Sequence, residues 1–348
     1  MRRIAVLLIW MLGVGMGSTS AWADGMDCLS RAAEPIAHRE YPIQFNSADL
    51  VLRGRLFVPD GKGPYPAVVL LHGGGRERLN EAPLFFAPLL ARCGIAALVY
   101  DKRGTGASGG TWEAAHFDDF VADAAAAVAM LGHRTDIQSD QIGLIGFSQG
   151  GRLAPVVAVQ RPEVAFIVSI SGPFVSLFDT RMYALRRSLR QRGLQGDALD
   201  ATLAAWASHF KAVAAGEGQS AVLQHEPENA PAAKPSVYVE PPSSPVGPFY
   251  NSLYHDYTVS LKQVQAPMLA IYGARDAVVP VEESIAVLQQ ALRAGGREPE
   301  VIVFPYADHS LIDRTFRERI KVEEVVLGWI QQQLAPSRPA SYGGVTAQ

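Results

Sequence analysis

The sequence contains little cysteine and no pattern of metal ligands. Only two of the 348 residues are cysteines, Cys28 and Cys93, and no CxxC pair occurs. An oxidising compartment would permit a disulfide between them, but two cysteines are not a disulfide framework, and a buried Cys93 with a free Cys28 is favoured. The eight histidines are scattered without metal-ligand spacing. We therefore expect no metal centre.

An excess of basic residues is also absent. The chain has 31 Lys and Arg against 34 Asp and Glu, which gives a formal net charge of −3 at pH 7. This balance creates no basic surface field, so a nucleic-acid partner is not expected. The hydrophobic content of 48% is ordinary for a globular protein with a substantial core.

The N-terminus has the pattern of a cleaved signal peptide. Arg2 and Arg3 precede an apolar run over residues 4–16, and small polar residues then lead to the sequence AWA, which ends at Ala23. A membrane anchor is the alternative, but the run is shorter than the roughly 20 apolar residues that span a bilayer. We expect residues 1–23 to be removed, leaving a periplasmic or secreted protein without a stable membrane anchor.

Apolar runs alternate with helical patterns along most of the chain. Several of these runs end in glycine, including PAVVLLHGGG, GIAALVYDKRG and QIGLIGFS. Such runs are typical of buried strands, and the alternation predicts an α/β fold with a mostly parallel central sheet flanked by helices. We assign residues 36–178 and 263–335 to this core, with a closing helix over residues 317–334. The tail, residues 336–348, is predicted to be disordered.

Residues 179–262 interrupt this alternation. Two helix-like segments come first, and the proline-rich stretch EPENAPAAKPSVYVEPPSSPVGPF follows them. The proline-rich part is expected to be extended and to lie on a surface. We interpret the whole segment as an insertion into the core rather than a second independent domain.

A serine lies between two glycines after one of the predicted strands. The segment Gly146-Phe147-Ser148-Gln149-Gly150 matches G-x-S-x-G, in which a sharp strand-to-helix turn exposes a nucleophilic serine. The alternative is a glycine-rich turn with an incidental serine, because short motifs also occur by chance. The remaining parts of a catalytic site decide between the two interpretations.

An acid and a histidine follow later strands in the required order. Asp276 ends the strand MLAIYGARD, and His309 follows the strand VIVFPYADH. Strand ends meet at one edge of a parallel sheet, so we predict a triad of Ser148 as nucleophile, His309 as base and Asp276 as the orienting acid. Asp308 is a rival acid, but it adjoins the histidine and is expected to point elsewhere. A further pair of acids, Glu282 and Glu283, is assigned to the first turn of a helix.

Backbone N–H groups for an oxyanion hole are also present. One donor is predicted at Gln149, at the start of the helix after the serine. The other is predicted in the HGGG loop that begins at His72, at Gly73 or Gly74, and which of these points inward is open. The histidine itself is expected to be structural.

The segment GTGASG, residues 104–109, has the G-x-G-x-x-G spacing of a dinucleotide-binding loop. Charged residues separate it from its strand, the next helix starts late, and no ribose-binding acid follows at the expected distance. We therefore predict a turn braced by Asp101 and Arg103, and no cofactor.

Taken together, LLHGGG, VYDKRGTGASGG, GFSQGGRLAPVVAV, IYGARDAVVP and ADH resemble the α/β-hydrolase superfamily of serine hydrolases in content and order. The resemblance covers nearly all of residues 40–335 and is similar to exported bacterial esterase-like members near the dienelactone-hydrolase and acyl-peptidase branches. It implies that residues 179–262 form a cap over the active site. Relatives often have Glu where Gln149 stands, but the oxyanion hole needs only the backbone N–H.

The residues and the resemblance together predict hydrolysis of a carboxylic ester in a small acyl substrate through an acyl-enzyme. A thioesterase or small-peptide hydrolase with the same triad is one alternative, and a non-catalytic binding protein of this fold is another. Aromatic residues of the insertion either line an acyl pocket or, as favoured, pack the insertion onto the core; they are Trp206, Phe210, Phe249, Tyr250, Tyr254 and Tyr257.

Overall fold

A computed structural model of the chain describes residues 38–75, 81–112, 114–215, 252–313, 318–319 and 321–335. The predicted signal peptide, Cys28, the proline-rich stretch and the tail lie outside these ranges, as do Phe249 and Tyr250.

An eight-stranded sheet forms the centre of the fold, in the order β1-β2-β4-β3-β5-β6-β7-β8. Its strands are β1 (His38–Ser47), β2 (Leu50–Pro59), β3 (Tyr65–Leu71), β4 (Ala96–Tyr100), β5 (Ile137–Phe147), β6 (Val164–Ile170), β7 (Met268–Gly273) and β8 (Glu300–Phe304). The first two strands pair antiparallel, as do β2 and β4, and all later pairs are parallel. The prediction of a mostly parallel sheet is confirmed.

Helices cover both faces of this sheet. They are α1 (Glu81–Arg92), α2 (Phe117–Gly132), α3 (Gln149–Gln160), α4 (Leu177–Gln191), α5 (Gly196–Ala214), α6 (Thr258–Leu261), α7 (Val281–Ala294) and α8 (Val322–Leu334). On one face α2, α3 and α7 pack against the sheet, and on the other α1 and α8 do. The central strands are buried on both sides, which explains their continuous apolar sequence. No helix in the described ranges is long and apolar enough to cross a membrane.

The two longer helices between β6 and β7 belong to the predicted insertion. They pack against each other through a separate apolar cluster that includes Leu185, Leu189, Trp206 and Phe210. The two aromatic residues are therefore part of the insertion's own core. Tyr257, by contrast, is buried in the main core.

The closing helix starts later than predicted. Glu318 and Arg319 form a short strand, β10, that pairs antiparallel with β9 (Ile312–Asp313). The backbone of Glu318 and Arg319 therefore pairs with a strand just after His309 and is not helical. Helix α8 begins only at Val322, with two glutamates in its first turn where the helix dipole favours them.

Cys93 is disulfide-bonded, so the favoured expectation of an unpaired, buried Cys93 was wrong and the alternative of a disulfide is supported. This residue directly follows α1, is partly buried and packs against the core cluster beneath α1 and α8. Cys28, the chain's other cysteine, lies outside the described residues.

Candidate active site

Ser148 lies on a sharp turn between β5 and α3. Its backbone has φ 51° and ψ −111°, a left-handed conformation that is strained for any residue other than glycine. A Cβ at Gly146 would clash with the carbonyl of Gly150, and a Cβ at Gly150 would clash with the carbonyl of Leu71. Both glycines are therefore required by close backbone approach, and the turn holds the serine hydroxyl outward.

The three predicted triad residues lie in hydrogen-bond contact. His309 Nε2 is 3.1 Å from Ser148 Oγ, and His309 Nδ1 is 2.7 Å from Asp276 Oδ2. Because a carboxylate oxygen only accepts, Nδ1 carries the proton in this contact and Nε2 is left to accept the serine proton. The arrangement can deprotonate the serine hydroxyl.

Asp276 is held rigidly by its own loop. Its side chain is completely buried. Its Oδ1 accepts hydrogen bonds from the N–H groups of Val278 at 2.7 Å and Val279 at 2.8 Å. Both carboxylate oxygens are thereby satisfied, and the oxygen that faces His309 cannot rotate away without breaking these bonds.

The rival acids have other roles, as predicted. Asp308 Oδ1 accepts hydrogen bonds from the N–H groups of Ser310 at 2.9 Å and Ile312 at 3.1 Å, which caps the turn after the histidine. The glutamates at 282 and 283 lie in the first turn of α7.

His72 is structural, as predicted. It is 4% exposed, and its Nε2 is 2.5 Å from the carbonyl oxygen of Tyr100, so Nε2 donates. Burial, and secondarily the positive charge of Lys102, lowers the pKa of His72 to about 4. The ring is therefore neutral at pH 7 and joins the ends of β3 and β4.

The predicted oxyanion segments lie side by side. Gly73 lines the same cavity as Ser148. A Cβ at Gly150 would meet the carbonyl oxygen of His72 at 2.7 Å, so the start of α3 packs directly on the loop that precedes Gly73. The N–H of Gln149 and the glycine loop thus approach the serine from adjacent backbone segments.

The glycine-rich turn after β4 is braced by its own side chains. Asp101 Oδ2 accepts a hydrogen bond of 2.9 Å from the N–H of Ala107, inside the loop. Arg103 forms ion pairs of 2.7 Å with Asp119 and with Asp123 of α2. A phosphate bound by this loop would face the Asp101 carboxylate, which argues against nucleotide binding. Within the described ranges, no group of three or more His, Cys, Asp or Glu could hold a metal ion.

A largely apolar cavity of about 480 Å³ opens beside the serine. Its lining residues are Gly73, Ala82, Phe85, Phe86, Phe147, Ser148, Ile170, Ser171, His309, Ser310, Leu311, Ile312, Val322 and Glu323. Helix α1, the strand ends and the loop after the histidine therefore form it. None of the insertion aromatics in the described ranges lines this cavity; Trp206 and Phe210 are buried in the insertion's cluster and Tyr257 in the main core, which supports the favoured packing role for these three.

Three contacts around the site were not predicted from the sequence. Ser171 Oγ donates a hydrogen bond of 2.9 Å to the carbonyl of His309, and Tyr183 Oη donates one of 3.0 Å to the carbonyl of Asp276. Lys102 Nζ donates to two carbonyls of the HGGG loop. Ser171 directly follows the buried strand β6, and Lys102 lies two residues after the buried strand β4. Position at a strand end was therefore the signal available in the sequence. Tyr183 lies on the insertion, and no pattern in the sequence indicated its contact with Asp276.

Comparison with known proteins agrees with this geometry. Residues 62–313 match the profile of the family described as serine aminopeptidase S33. The chain belongs to this family. It is thus a member of the α/β-hydrolase superfamily of serine hydrolases, and the predicted resemblance is confirmed.

Individual relatives of this hydrolase include enzymes named as esterases. Esterase EstD of Thermotoga maritima is 26% identical over 280 residues, which are 78% of this chain but only 61% of EstD. The α/β hydrolase GrgF from Penicillium sp. sh18 superimposes with a TM-score of 0.60 at 18% identity, covering 86% of this chain and 100% of GrgF. The Pyrococcus furiosus esterase Pf2001 superimposes with a TM-score of 0.56 at 19% identity, covering 86% of this chain and 91% of Pf2001. At these identities the two solved structures establish the fold alone.

Proposed function

We propose that this hydrolase cleaves carboxylic esters of small acyl substrates through an acyl-enzyme on Ser148. The observation that carries the proposal is the hydrogen-bonded series Asp276–His309–Ser148, with distances of 2.7 and 3.1 Å, at the mouth of a largely apolar cavity. The name of the relative EstD supports an ester substrate.

Acylation begins when Ser148 Oγ attacks the ester carbonyl carbon and its proton passes to His309 Nε2. Asp276 holds the ring orientation and stabilises the imidazolium that forms. The oxyanion is stabilised by backbone N–H groups, of which Gln149 supplies one. The carbon–oxygen bond to the alcohol then breaks, and the histidine returns its proton to the leaving oxygen.

Deacylation repeats these steps with water. His309 Nε2 takes a proton from a water molecule as its oxygen attacks the acyl carbon. The bond between that carbon and Ser148 Oγ breaks, the serine regains its proton from the histidine, and the carboxylic acid leaves. Every proton is accounted for by the triad, so the cycle requires no cofactor.

The cavity favours an apolar acyl group. Phe85, Phe86 and Phe147 form one wall, with the rings of Phe86 and Phe147 only 5.3 Å apart. Burying methylene groups against these rings contributes roughly 0.8 kcal/mol each. We therefore expect kcat/KM to rise with acyl length until the cavity is filled and to fall beyond that length.

Peptide hydrolysis is the second candidate, favoured by the family's description as serine aminopeptidases. The same triad can attack an amide, but the poorer leaving group makes that reaction harder. Matched p-nitrophenyl esters and p-nitroanilides of one acyl group would distinguish the two activities. A kcat/KM for the anilide that equals or exceeds that for the ester would make the peptidase the main function.

The central test compares the protein beginning at Asp24 with its Ser148→Ala variant on p-nitrophenyl esters of increasing acyl length. We expect the variant to lose about 10⁴-fold or more in kcat. It should also lose labelling by a fluorophosphonate, which reacts with an activated serine. A folded wild-type protein that neither hydrolyses these substrates nor takes the label would contradict catalysis and favour a binding role.

We also propose that the protein acts outside the cytoplasm. The signal-like sequence of residues 1–23 supports this location, and the disulfide at Cys93 fits an oxidising compartment. Expression of the full chain in a bacterial host, followed by cell fractionation and N-terminal sequencing, should give a periplasmic or secreted protein that starts at Asp24. Recovery of an uncleaved cytoplasmic chain would contradict the proposal.

A further inference from the structure

We propose that Lys102 is a positioning residue that builds the oxyanion hole by holding the peptide between Gly73 and Gly74. This inference rests on the proposed acyl transfer. Lys102 is the second residue after β4 and is only 6% exposed. Its Nζ donates a hydrogen bond of 2.9 Å to the carbonyl of Gly73 and a second one to the carbonyl of Gly75.

These two bonds determine which way the loop's peptide groups face. The C=O and N–H of a trans peptide point in opposite directions. Because the Gly73 carbonyl points at the ammonium, the N–H of Gly74, which belongs to the same peptide group, points away from it. The Gly73 N–H belongs to the preceding peptide, whose carbonyl at His72 faces Gly150 at the start of α3, so that this N–H points away from α3. The lysine thereby orients Gly74 as the donor, a choice that the HGGG sequence leaves open.

The loop needs an external support of this kind. Three successive glycines have no side chains to pack and wide backbone freedom. Gly75 itself has φ 99°, a conformation that other residues rarely adopt. A buried ammonium that binds two of the three carbonyls restricts this freedom before substrate arrives, and preorganised donors contribute most to oxyanion stabilisation.

The supported peptide lies beside the nucleophile. Gly73 and Ser148 line one cavity, and the start of α3 packs on the carbonyls of Leu71 and His72. The N–H of Gly74 can therefore meet the same substrate oxygen as the N–H of Gln149. A cation on the Gly73 carbonyl also polarises that peptide, which makes its N–H a stronger donor.

Substitution of Lys102 by methionine tests the proposal, because methionine keeps the apolar stem and removes the ammonium. Lys62→Met is the matched control at an exposed lysine. We expect Lys102→Met to lower kcat by about 100-fold with KM within about threefold, since one oxyanion donor contributes roughly 10² to 10³ in kcat. Affinity for an alkyl boronic acid, whose adduct with Ser148 places an oxygen in the hole, should fall in parallel. Lys102→Arg, which retains a cation and several donors, should recover part of both losses.

The outcomes separate this inference from the proposed function. Ester turnover by the wild type together with unchanged kcat and boronic-acid affinity in Lys102→Met would overturn the role of the lysine alone. No ester turnover by the wild type would overturn the proposed function itself. If Lys102→Met shows no cooperative thermal transition, Gly74→Pro replaces it, because proline removes the N–H in question; Gly74→Ala, which keeps the N–H, is its control for the added side-chain atoms. Wild-type boronic-acid affinity in that variant would equally overturn the inference.

Discussion

The Ser171 hydroxyl donates a hydrogen bond of 2.9 Å to the backbone carbonyl of His309. Ser171 also has a positive φ of 52°, at the end of the strand next to the nucleophile's strand. Four non-glycine residues within the described ranges have positive φ, and three of them, Ser148, Ser171 and Leu311, line the cavity beside the serine. Backbone strain is thus concentrated where the geometry must be exact for catalysis.

Removing the Ser171 hydroxyl should allow the backbone of His309 to move from its observed position. We expect Ser171→Ala to lower kcat by about 10-fold with little change in KM, because small displacements of a catalytic group slow the chemical step more than binding. Ser171→Gly loses the same bond but relieves the backbone strain, and should be equally slow. Steady-state kinetics on one ester checks both variants, and wild-type kcat in either would show that the bond does not position His309.

The insertion touches the triad through Tyr183, whose hydroxyl donates to the carbonyl of Asp276 at 3.0 Å. We expect Tyr183→Phe to reduce the free energy of unfolding by about 1 kcal/mol, the usual contribution of one such bond. Chemical denaturation measures the change. Tyr254→Phe, at a side chain that is 53% exposed, is the control and should be neutral. Equal stabilities for the two variants would contradict the role of this bond.

Arg152 joins the nucleophile helix to the start of the insertion. It donates to the carbonyl of Pro173 at 2.9 Å and to Thr180 Oγ1 at 3.0 Å, and its guanidinium lies 4.7 Å from the centre of the Tyr257 ring. We expect Arg152→Met to leave buried acceptors unpaired and to lower the free energy of unfolding by about 2–4 kcal/mol. Limited proteolysis should also cut the insertion faster.

The control for that substitution is Arg293→Met. Arg293 pairs with Glu298 on the surface, where both side chains are more than half exposed. Solvent screens such an exposed pair, so it contributes little to stability. Similar losses in the two arginine variants would argue against a special role for Arg152.

His72 should make the protein less stable in mild acid. Its pKa is lowered to about 4 in the folded state from 6.5, by burial first and the charge of Lys102 second. Between pH 6.5 and about 4, His72 binds a proton in the unfolded chain but not in the folded chain. The free energy of unfolding therefore falls as the pH drops from about 6.5 to about 4, and the contribution of His72 is constant below that. The full loss is about 3 kcal/mol.

The variant His72→Gln tests this pH dependence, because glutamine retains an N–H donor for Tyr100 and does not titrate. Urea unfolding at pH 7 and pH 4 should give a smaller acid-induced loss in the variant than in the wild type. Identical losses would assign the acid sensitivity to other groups.

Phe85 is one of the aromatic residues that line the cavity beside the serine. We expect Phe85→Ala to move the best acyl length upward by a few carbons, because the removed ring leaves room for further methylene groups. The kcat/KM values across the p-nitrophenyl ester series measure this shift. Phe178→Ala, at an aromatic residue that packs against the apolar cluster of the insertion and does not line the cavity, should leave the length preference unchanged.

Local sequence patterns were sufficient to predict the central sheet and to identify the candidate nucleophile, acid and base. Ser148 and Asp276 follow the buried strands β5 and β7, and His309 follows the edge strand β8. Parallel strands bring their carboxyl ends to one edge, so sequence position alone predicts their convergence. The closing helix was misplaced because the hairpin of residues 312–319 depends on a pairing between strands that helical periodicity does not reveal.

The sequence by itself determined the fold class and the candidate triad, because strand periodicity is a local property of the chain and Ser148, Asp276 and His309 follow predicted strands in the required order. Only the tertiary structure decided what supports that chemistry. Lys102 meets the glycine loop across 27 and 29 residues, and Ser171 meets His309 across 138. Such contacts depend on side-chain directions after the helices and strands have packed, and no spacing in the sequence encodes them.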